Sequence, residues 1–445
     1  MPRLFSALLR SALCSAFCFT LYGFSGLGFS TLQNAQANES CQNCVRIAIL
    51  PLKHLGDQEK IGLYTEGVQE SLIQSLSSIS SIIVLDRART GAILKEISFQ
   101  QSMYADEKTQ VKIGKMLGAE YLYTGSVQEL KGQLRIFISR INVSTGQVNA
   151  VAQVTGPVDD LFALQDQVAQ KILTQMSVAN PTEQKKNLHE KKEGGTGSLM
   201  AYESFIRGLR AQEKEDWETA LSFYNQAIAI DAKYAFAYTN RGNIYRTLKA
   251  DDKAMSDYNL AIQFAPGYSR PYNNKGNIQR DRKRYEQALL SYTQAIQRDL
   301  TYLSPYMGRG NTYRDLEQYT KAIADYNQAI VLDPNFALAY VNRGFSYHGL
   351  KQYKKAIADY NQAIVLDPKD DLAYFNRGIS FYALGQYIEA IFDQNQVLQL
   401  TPQDADAYYV RGNAYYALKQ DPQAINDFRI SCQLGLKKAC AFLDK

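Results

Sequence analysis

Residues 321–334 and 355–368 carry the same fourteen-residue string, KAIADYNQAIVLDP, 34 positions apart. Each copy is followed by Ala-Tyr and then Asn-Arg-Gly, at 342–344 and 376–378. A fixed period of this length means a stacked supersecondary unit, because no single core repeats itself along the chain. With Gly344 and Gly378 as reference, glycine recurs at 208, 242, 276, 310 and 412 without a slip. Twelve positions further on, alanine recurs at 220, 254, 288, 322, 356, 390 and 424. Aromatic residues recur at Tyr224, Tyr258, Tyr292, Tyr326, Tyr360 and Phe428. Small residues at fixed spacing allow two helices to cross closely, and tyrosines fill the space beside them. Pro266, Pro334, Pro368 and Pro402 close successive periods, since proline cannot continue a helix.

This pattern resembles the tetratricopeptide repeat. The resemblance implies an all-α solenoid, a right-handed superhelix of helix pairs, with seven units at 201–234, 235–268, 269–302, 303–336, 337–370, 371–404 and 405–438. Gln279, Gln394, Ser431, Asp251 and Asp421 depart from the packing pattern. The segment CQLGLKKAC resembles the cysteine spacing of disulfide-bearing helical repeats in exported bacterial proteins. That likeness implies a Cys432–Cys440 bridge between the last unit and a short cap at 439–445.

The region 45–178 has a different texture. VRIAIL at 45–50 ends at Pro51 and reads as a buried strand, as does 82–85. Helical spacing marks 61–76, 90–97 and 107–117, and Gly118 is placed to stop the last of these. Strand-like runs at 120–128, 133–143 and 147–155 are separated by turns at Gly132 and Ser144-Thr145-Gly146, giving an antiparallel meander. Residues 159–176 form an amphipathic helix. The expected class is α/β, one sheet with helices. The runs LGAEYLYTGSV and STG, with YTEGVQESLIQSL and DLFALQDQVAQKIL around them, resemble the TolB amino-terminal-like domain and its curli-secretion relatives. The resemblance implies an envelope or sensor module without catalysis. Between the two regions, 179–200 is charged and glycine-rich and reads as a flexible linker.

The first 37 residues carry Arg3 and Arg10, an apolar small-residue stretch and Ala35-Gln36-Ala37, the features of a secretory signal peptide. Cleavage is expected after Ala37, leaving 38–44 as the mature amino-terminal segment and placing the protein in the periplasm or outside the cell. In that compartment cysteines close in sequence favour disulfides, so Cys41 and Cys44 are a second candidate pair. A redox role for Cys41-Gln-Asn-Cys44 is disfavoured, because a strand-like run rather than a helix follows it. Removing Arg3 and Arg10 lowers the formal charge from +5 to +3, too mild for binding that depends on neutralising phosphates. No nucleic acid, metal or cofactor is expected. His54, His189 and His348 are scattered, and no catalytic triad, phosphate loop or carboxylate pair is visible.

A partner is expected on the inner surface lined by the first helix of each unit. There Asn243, Asn277 and Asn311 follow the reference glycine, and Arg246, Arg280 and Arg314 stand three residues on, on the same helical face. Asparagine offers a donor and an acceptor to an extended chain, and arginine forks onto a carboxylate. Two readings of this ladder stay open: a peptide groove, or solvated and inter-repeat polar contacts. Asn240-Arg241, Asn342-Arg343 and Asn376-Arg377 are expected to bond between repeats. The functional expectation is a non-catalytic scaffold of the bacterial cell envelope that binds an extended, acidic protein segment. The alternative is an envelope sensor whose amino-terminal domain binds a small ligand and signals through the array.

Overall fold

The computed structural model describes residues 44–55, 58–77, 79, 81–85, 90, 107–176 and 194–443. The signal peptide 1–37, the segment 38–43, and the 90–97 helix apart from Thr90 lie outside these. So does the partner of Cys44, which is disulfide-bonded; the Cys41–Cys44 pairing is therefore not described.

The sheet contains β1 (Val45–Ile49), β2 (Lys53–Leu55), β3 (Ile82–Val84), β4 (Tyr121–Leu130), β5 (Gln133–Asn142) and β6 (Val148–Pro157). Its order is β3-β1-β4-β5-β6, with β1 parallel to both neighbours and β4-β5-β6 an antiparallel meander. Pro51 explains a strand that sequence reading missed. β1 pairs with Tyr121–Tyr123 and β2 with Ser126–Gln128 of the same partner, so proline interrupts one strand rather than ending it. The β4–β5 turn places Lys131 and Gly132 at φ of 51° and 75°, the positive values a two-residue hairpin turn needs.

Helices α1 (Gln58–Ser77), α2 (Glu107–Leu117) and α3 (Leu161–Gln175) complete this region. Leu161, Leu164, Val168 and Ile172 of α3 and Leu63, Val68, Leu72 and Leu76 of α1 are buried with Ile136, Ile138, Val151 and Val154 of the sheet. The edge strand β6 is guarded, since Lys171 Nζ and Gln175 Nε2 of α3 donate to the carbonyls of Gln153 and Val151 at 2.7 and 3.3 Å.

The helical part comprises α4 (Leu199–Glu213), α5 (Trp217–Ile230), α6 (Ala235–Thr247), α7 (Asp251–Phe264), α8 (Ser269–Asp281), α9 (Tyr285–Arg298), α10 (Leu303–Asp315), α11 (Tyr319–Leu332), α12 (Ala337–Gly349), α13 (Tyr353–Leu366), α14 (Asp371–Ala383), α15 (Tyr387–Leu400), α16 (Ala405–Ala417), α17 (Asp421–Gln433) and α18 (Lys437–Leu443). The chain divides into two compact units: Cys41–Thr312 with Val331–Pro334, and Tyr313–Ile330 with Asn335–Lys445.

Within each unit the periodic residues have a direct packing role. The reference glycine of the first helix faces the aromatic ring of the second at Gly208, Gly242, Gly276, Gly344 and Gly412, whereas Gly378 faces Gln394. A Cβ on Gly242, Gly276, Gly344 or Gly412 would stand 2.7 to 2.8 Å from Tyr258, Tyr292, Tyr360 or Phe428. The alanines beside them, Ala254, Ala288, Ala356 and Ala424, are fully buried. The turn within each pair uses a left-handed residue, and it is lysine at 249, 283, 351 and 419 rather than glycine. The amide after it bonds back to the helix, as Gln352 N does to Tyr347 O at 2.8 Å, which closes the last turn.

In the first unit the core of the α/β region runs into the first helix pair, so that Ala201, Tyr202, Phe205 and Ile206 belong to one apolar cluster with α1, α3 and the sheet. Tyr64 Oη donates to Glu203 at 3.0 Å, and Arg210 pairs with Glu66 at 2.7 Å. The stretch expected as a flexible linker reaches into this packing. Gly194 O accepts from Phe236 N at 3.1 Å, and Ser198 caps α4 by accepting from Ala201 N. Glycine-rich composition signalled freedom there, but close packing explains Gly194, whose added Cβ would meet Ala235, Ala265 and Phe236 at 3.0 to 3.1 Å.

In the second unit the bridge implied by CQLGLKKAC is present between Cys432 and Cys440. It holds α18 so that Phe442 lies 4.1 Å from Phe428 and 5.2 Å from Tyr416, ring to ring. Reduction should cost about 2–3 kcal/mol by the loop-entropy estimate. Denaturant midpoints of the oxidised protein and the Cys432→Ser/Cys440→Ser variant check this; coincident midpoints would remove the bridge from the account.

Candidate partner-binding surface

The ladder residues have fixed local roles. Asn243 Oδ1 accepts from Tyr258 Oη at 2.9 Å and from Asn274 Nδ2 at 2.7 Å. Asn277 Oδ1 accepts from Tyr292 Oη at 2.8 Å. Each asparagine thus satisfies the hydroxyl of the ring that fills its own helix pair. The same bonds orient the carboxamide, leaving Nδ2 of Asn277 without a partner among the described residues. Arg246 pairs with Asp281 at 3.0 Å on a partly exposed edge. Arg280 lies beside the Tyr292 hydroxyl, where its charge opposes the rise in tyrosine pKa that burial causes. Asn311 is half-buried.

Arg314 departs from the expectation. Only 8 % of it is exposed; Nη1 donates to Asn342 Oδ1 at 3.1 Å, Nη2 pairs with Asp315 at 3.0 Å, and the guanidinium lies over the Phe345 ring. A guanidinium turned inward in this way is not available to a ligand. The physical reason is local, because Phe345 and Asn342 offer a ring face and an acceptor together.

One period later, the place of Arg246, Arg280 and Arg314 is taken by His348. Its Nδ1 lies 2.9 Å from Ser380 Oγ, which itself donates to Asn376 O, so the imidazole is a neutral Nδ1–H donor. Burial lowers the His348 pKa to about 4. The unfolded chain, with an ordinary histidine near 6.5, binds the proton first as pH falls. Stability linked to His348 is therefore complete above about pH 6.5 and declines toward pH 4. Acidification from pH 7 to 5 should cost about 1–2 kcal/mol through this residue. His348→Gln should flatten that part of the stability–pH curve, as read from urea midpoints; an unchanged slope would contradict the assignment.

A second network was not foreseen in this form. Arg241 grips Asp257 through Nε and Nη2 at 2.8 and 2.7 Å, while Nη1 donates to Asn225 of the preceding helix pair at 2.7 Å. Arg343 repeats this with Asp359 and Asn327, Arg377 with Asp393 and Asn361, and Arg411 with Asp427 and Asn395. Tyrosine rings flank these guanidinium groups, as Tyr238 and Tyr245 flank Arg241 at 5.2 and 5.9 Å. The arginine of each Asn-Arg dipeptide makes an inter-repeat bond; of the asparagines, Asn342 also does so by accepting from Arg314 of the preceding helix pair, whereas Asn240 Nδ2 donates to its own helix at Phe236 O. The signal was in the duplicated block, whose ADYNQ string supplies both the Asp and the Asn.

Stacked helix pairs of closely packed glycine, alanine and tyrosine define a helical-repeat scaffold joined to an α/β domain. Residues 310–351, 346–385 and 379–419 match the TPR repeat family, and 237–268 and 269–302 match the tetratricopeptide repeat. Residues 28–136 match the curli production assembly/transport component CsgG. The chain carries tetratricopeptide repeats behind a CsgG-like amino-terminal domain. Among curated proteins, a putative adenylate cyclase 3 of Rhizobium meliloti is 26 % identical over 133 residues, 30 % of this chain and 21 % of that protein. The match thus spans about a fifth of that relative's length. Among solved structures, a tetratricopeptide repeat protein from Parabacteroides merdae is 19 % identical with a TM-score of 0.43, covering 56 % of this chain and 98 % of that one. YrrB, described as a TPR protein with an unusual peptide-binding site, is 25 % identical with a TM-score of 0.36, covering 40 % and 92 %. MamA is 24 % identical with a TM-score of 0.36, covering 38 % and 93 %.

No helix among the described residues is long and apolar enough to cross a membrane. Nor does any group of three or more His, Cys, Asp or Glu among them stand where it could hold a metal ion.

Proposed function

We propose that the protein is a non-catalytic scaffold of the bacterial cell envelope whose first helices hold an extended, acidic segment of a protein partner. The observation that carries this reading is the oriented carboxamide of Asn277. With Oδ1 held by the buried Tyr292 hydroxyl, Nδ2 is set to donate to a main-chain carbonyl, beside the Arg280 guanidinium. Asn243 and Arg246 repeat the arrangement one period earlier, with Arg246 able to exchange Asp281 for a ligand carboxylate. The groove then comprises Asn243, Arg246, Asn277, Arg280 and Asn311, without Arg314. Envelope placement is supported by the signal-like first 37 residues and by the CsgG-like domain, which would dock a second envelope component.

The test is capture of partner by the purified full-length protein from an envelope extract, read at two salt concentrations and with peptide competitors. Asn277→Ala with Arg280→Ala should reduce capture by at least about tenfold, the loss expected when two polar contacts of about 1 kcal/mol or more are removed. Tyr292→Phe, which loses the same hydrogen bond but keeps Asn277 and Arg280, is the control for lost stability; unchanged capture by Asn277→Ala/Arg280→Ala would sink the groove.

A further inference from the structure

In the first compact unit a groove of about 400 Å³ runs between α4 and α5, with Met200, Ser204 and Arg207 on one side and Phe223, Gln226 and Ile230 on the other. The period shows what such a groove receives. One period on, the places of Ser204, Arg207, Phe223, Gln226 and Ile230 are held by Tyr238, Arg241, Asp257, Leu260 and Phe264. There the preceding second helix covers them, since Ile228 of α5 packs with Leu260 and Phe264 against the buried cluster that includes Tyr238.

The basic residue has the same history. At the place of Arg207, every later helix pair has a cation that reaches back to the second helix before it. Arg241, Arg343, Arg377 and Arg411 donate to asparagines there, Lys275 Nζ to Asn259 at 2.9 Å, and Arg309 Nη1 to Thr293 at 3.1 Å. The four arginines on asparagine also grip an aspartate of their own pair. In the first pair Phe223 stands where that aspartate would be. Arg207 is exposed and makes no hydrogen bond or ion pair among the described residues. Glu203, one turn away on α4, is engaged by Tyr64 Oη at 3.0 Å. The apolar members are open as well, Met200 being 68 % and Ile230 44 % exposed. The end face of a solenoid is ordinarily polar, because no further repeat stacks on it. This one keeps a guanidinium among apolar side chains, a surface matched by a helix of opposite charge.

We propose that the α4–α5 face docks an amphipathic helix of a protein partner, which brings a carboxylate to Arg207 and an apolar side chain between Met200, Phe223 and Ile230. A carboxylate is required, and not only the carboxamide found between later pairs, because Arg207 has no aspartate of its own. The face is separate from the groove of Asn243, Arg246, Asn277 and Arg280, and either can fail without the other.

The probe is the protein's own second helix. In α13, Asn361 accepts from Arg377 and Ile364 packs into the neighbouring helices. A stapled, fluorescein-labelled peptide of Tyr353–Leu366 bearing Asn361→Asp is titrated with the full-length protein and followed by anisotropy, beside the same peptide bearing Asn361→Lys. The Asp peptide should bind saturably and at least about tenfold more tightly than the Lys peptide, the difference expected from one charge-assisted contact. Ile364→Ser in the peptide should weaken it by about tenfold through lost apolar burial. Arg207→Gln should erase the preference for the Asp peptide and Arg207→Glu should reverse it, while Asn277→Ala/Arg280→Ala should leave it unchanged. No saturable binding, equal binding of the Asp and Lys peptides, a preference that survives Arg207→Gln, or one that is lost in Asn277→Ala/Arg280→Ala would each overturn the proposal.

Discussion

Tyr360→Ala should destabilise the second compact unit by about 3–5 kcal/mol, whereas Tyr360→Phe should leave it unchanged or slightly more stable. The ring is fully buried among Val341, Ala356, Ala363 and Ala373 and faces the Gly344 position, so truncation opens a cavity that the neighbouring helices cannot close. The hydroxyl is different. It is buried and has no hydrogen-bond partner, because Phe345 occupies the position at which Asn243 and Asn277 serve Tyr258 and Tyr292. Removing an unsatisfied buried hydroxyl costs nothing. The matched control is Tyr292→Phe in the first unit, which leaves Asn277 without its donor and should cost about 1 kcal/mol. Urea midpoints check all three, and a costly Tyr360→Phe would contradict the packing described for this helix pair.

The second large effect lies in the Arg-Asp network. Asp393→Ala should cost about 3–5 kcal/mol, as for breaking other buried ion pairs, because it strands the Arg377 guanidinium among Tyr374, Phe381 and Asn361. The Asp393 side chain is 1 % exposed and accepts two bonds from Arg377 at 2.9 and 2.6 Å. Replacing both partners, as Arg377→Met with Asp393→Leu, should recover most of the loss, since two apolar side chains leave no uncompensated charge. Hydrogen exchange across α14 and α15 reads the effect locally. A double variant as unstable as Asp393→Ala alone would mean that the network contributes more than pairing, through the Asn361 link to the preceding helix pair.

The array was legible because its constraint is periodic. Glycine at 344 and tyrosine at 360 are sixteen residues apart, and only a helix pair brings them into contact, so the sequence pattern reports the packing directly. The meander was legible for a similar reason, with Lys131-Gly132 and the Ser144–Gly146 turn punctuating three strands. Other features had no such signal. β2 is hidden because Pro51 looks like an end, and only pairing with β4 shows that the strand resumes. Lysine at the left-handed turn positions breaks the glycine rule and is carried by the surrounding helix pair. Gly194 sits in a stretch whose composition reads as a tether, while its packing depends on Phe236 and Ala265, far along the chain.

The polar ladder shows the limit most plainly. Asn277, Arg280 and Arg314 share a helical face by spacing, but spacing does not say which guanidinium turns inward. Arg314 does so because Phe345 and Asn342 stand opposite it, a difference that arises 28 and more residues away. The Arg-Asp-Asn network, in contrast, could have been read from the ADYNQ string, whose Asp and Asn recur with every copy.

The proposed partner lies along the first helices and not on the second helices. Site-specific photocrosslinking tests it most directly. A crosslinking amino acid at Thr247, exposed one turn beyond Asn243 on α6, and another at Ser256, exposed on α7, are compared in the full-length protein during partner capture. The expected result is a crosslinked partner from position 247, diminished by Asn277→Ala/Arg280→Ala, and none from position 256. Crosslinks from 256 and none from 247 would contradict it.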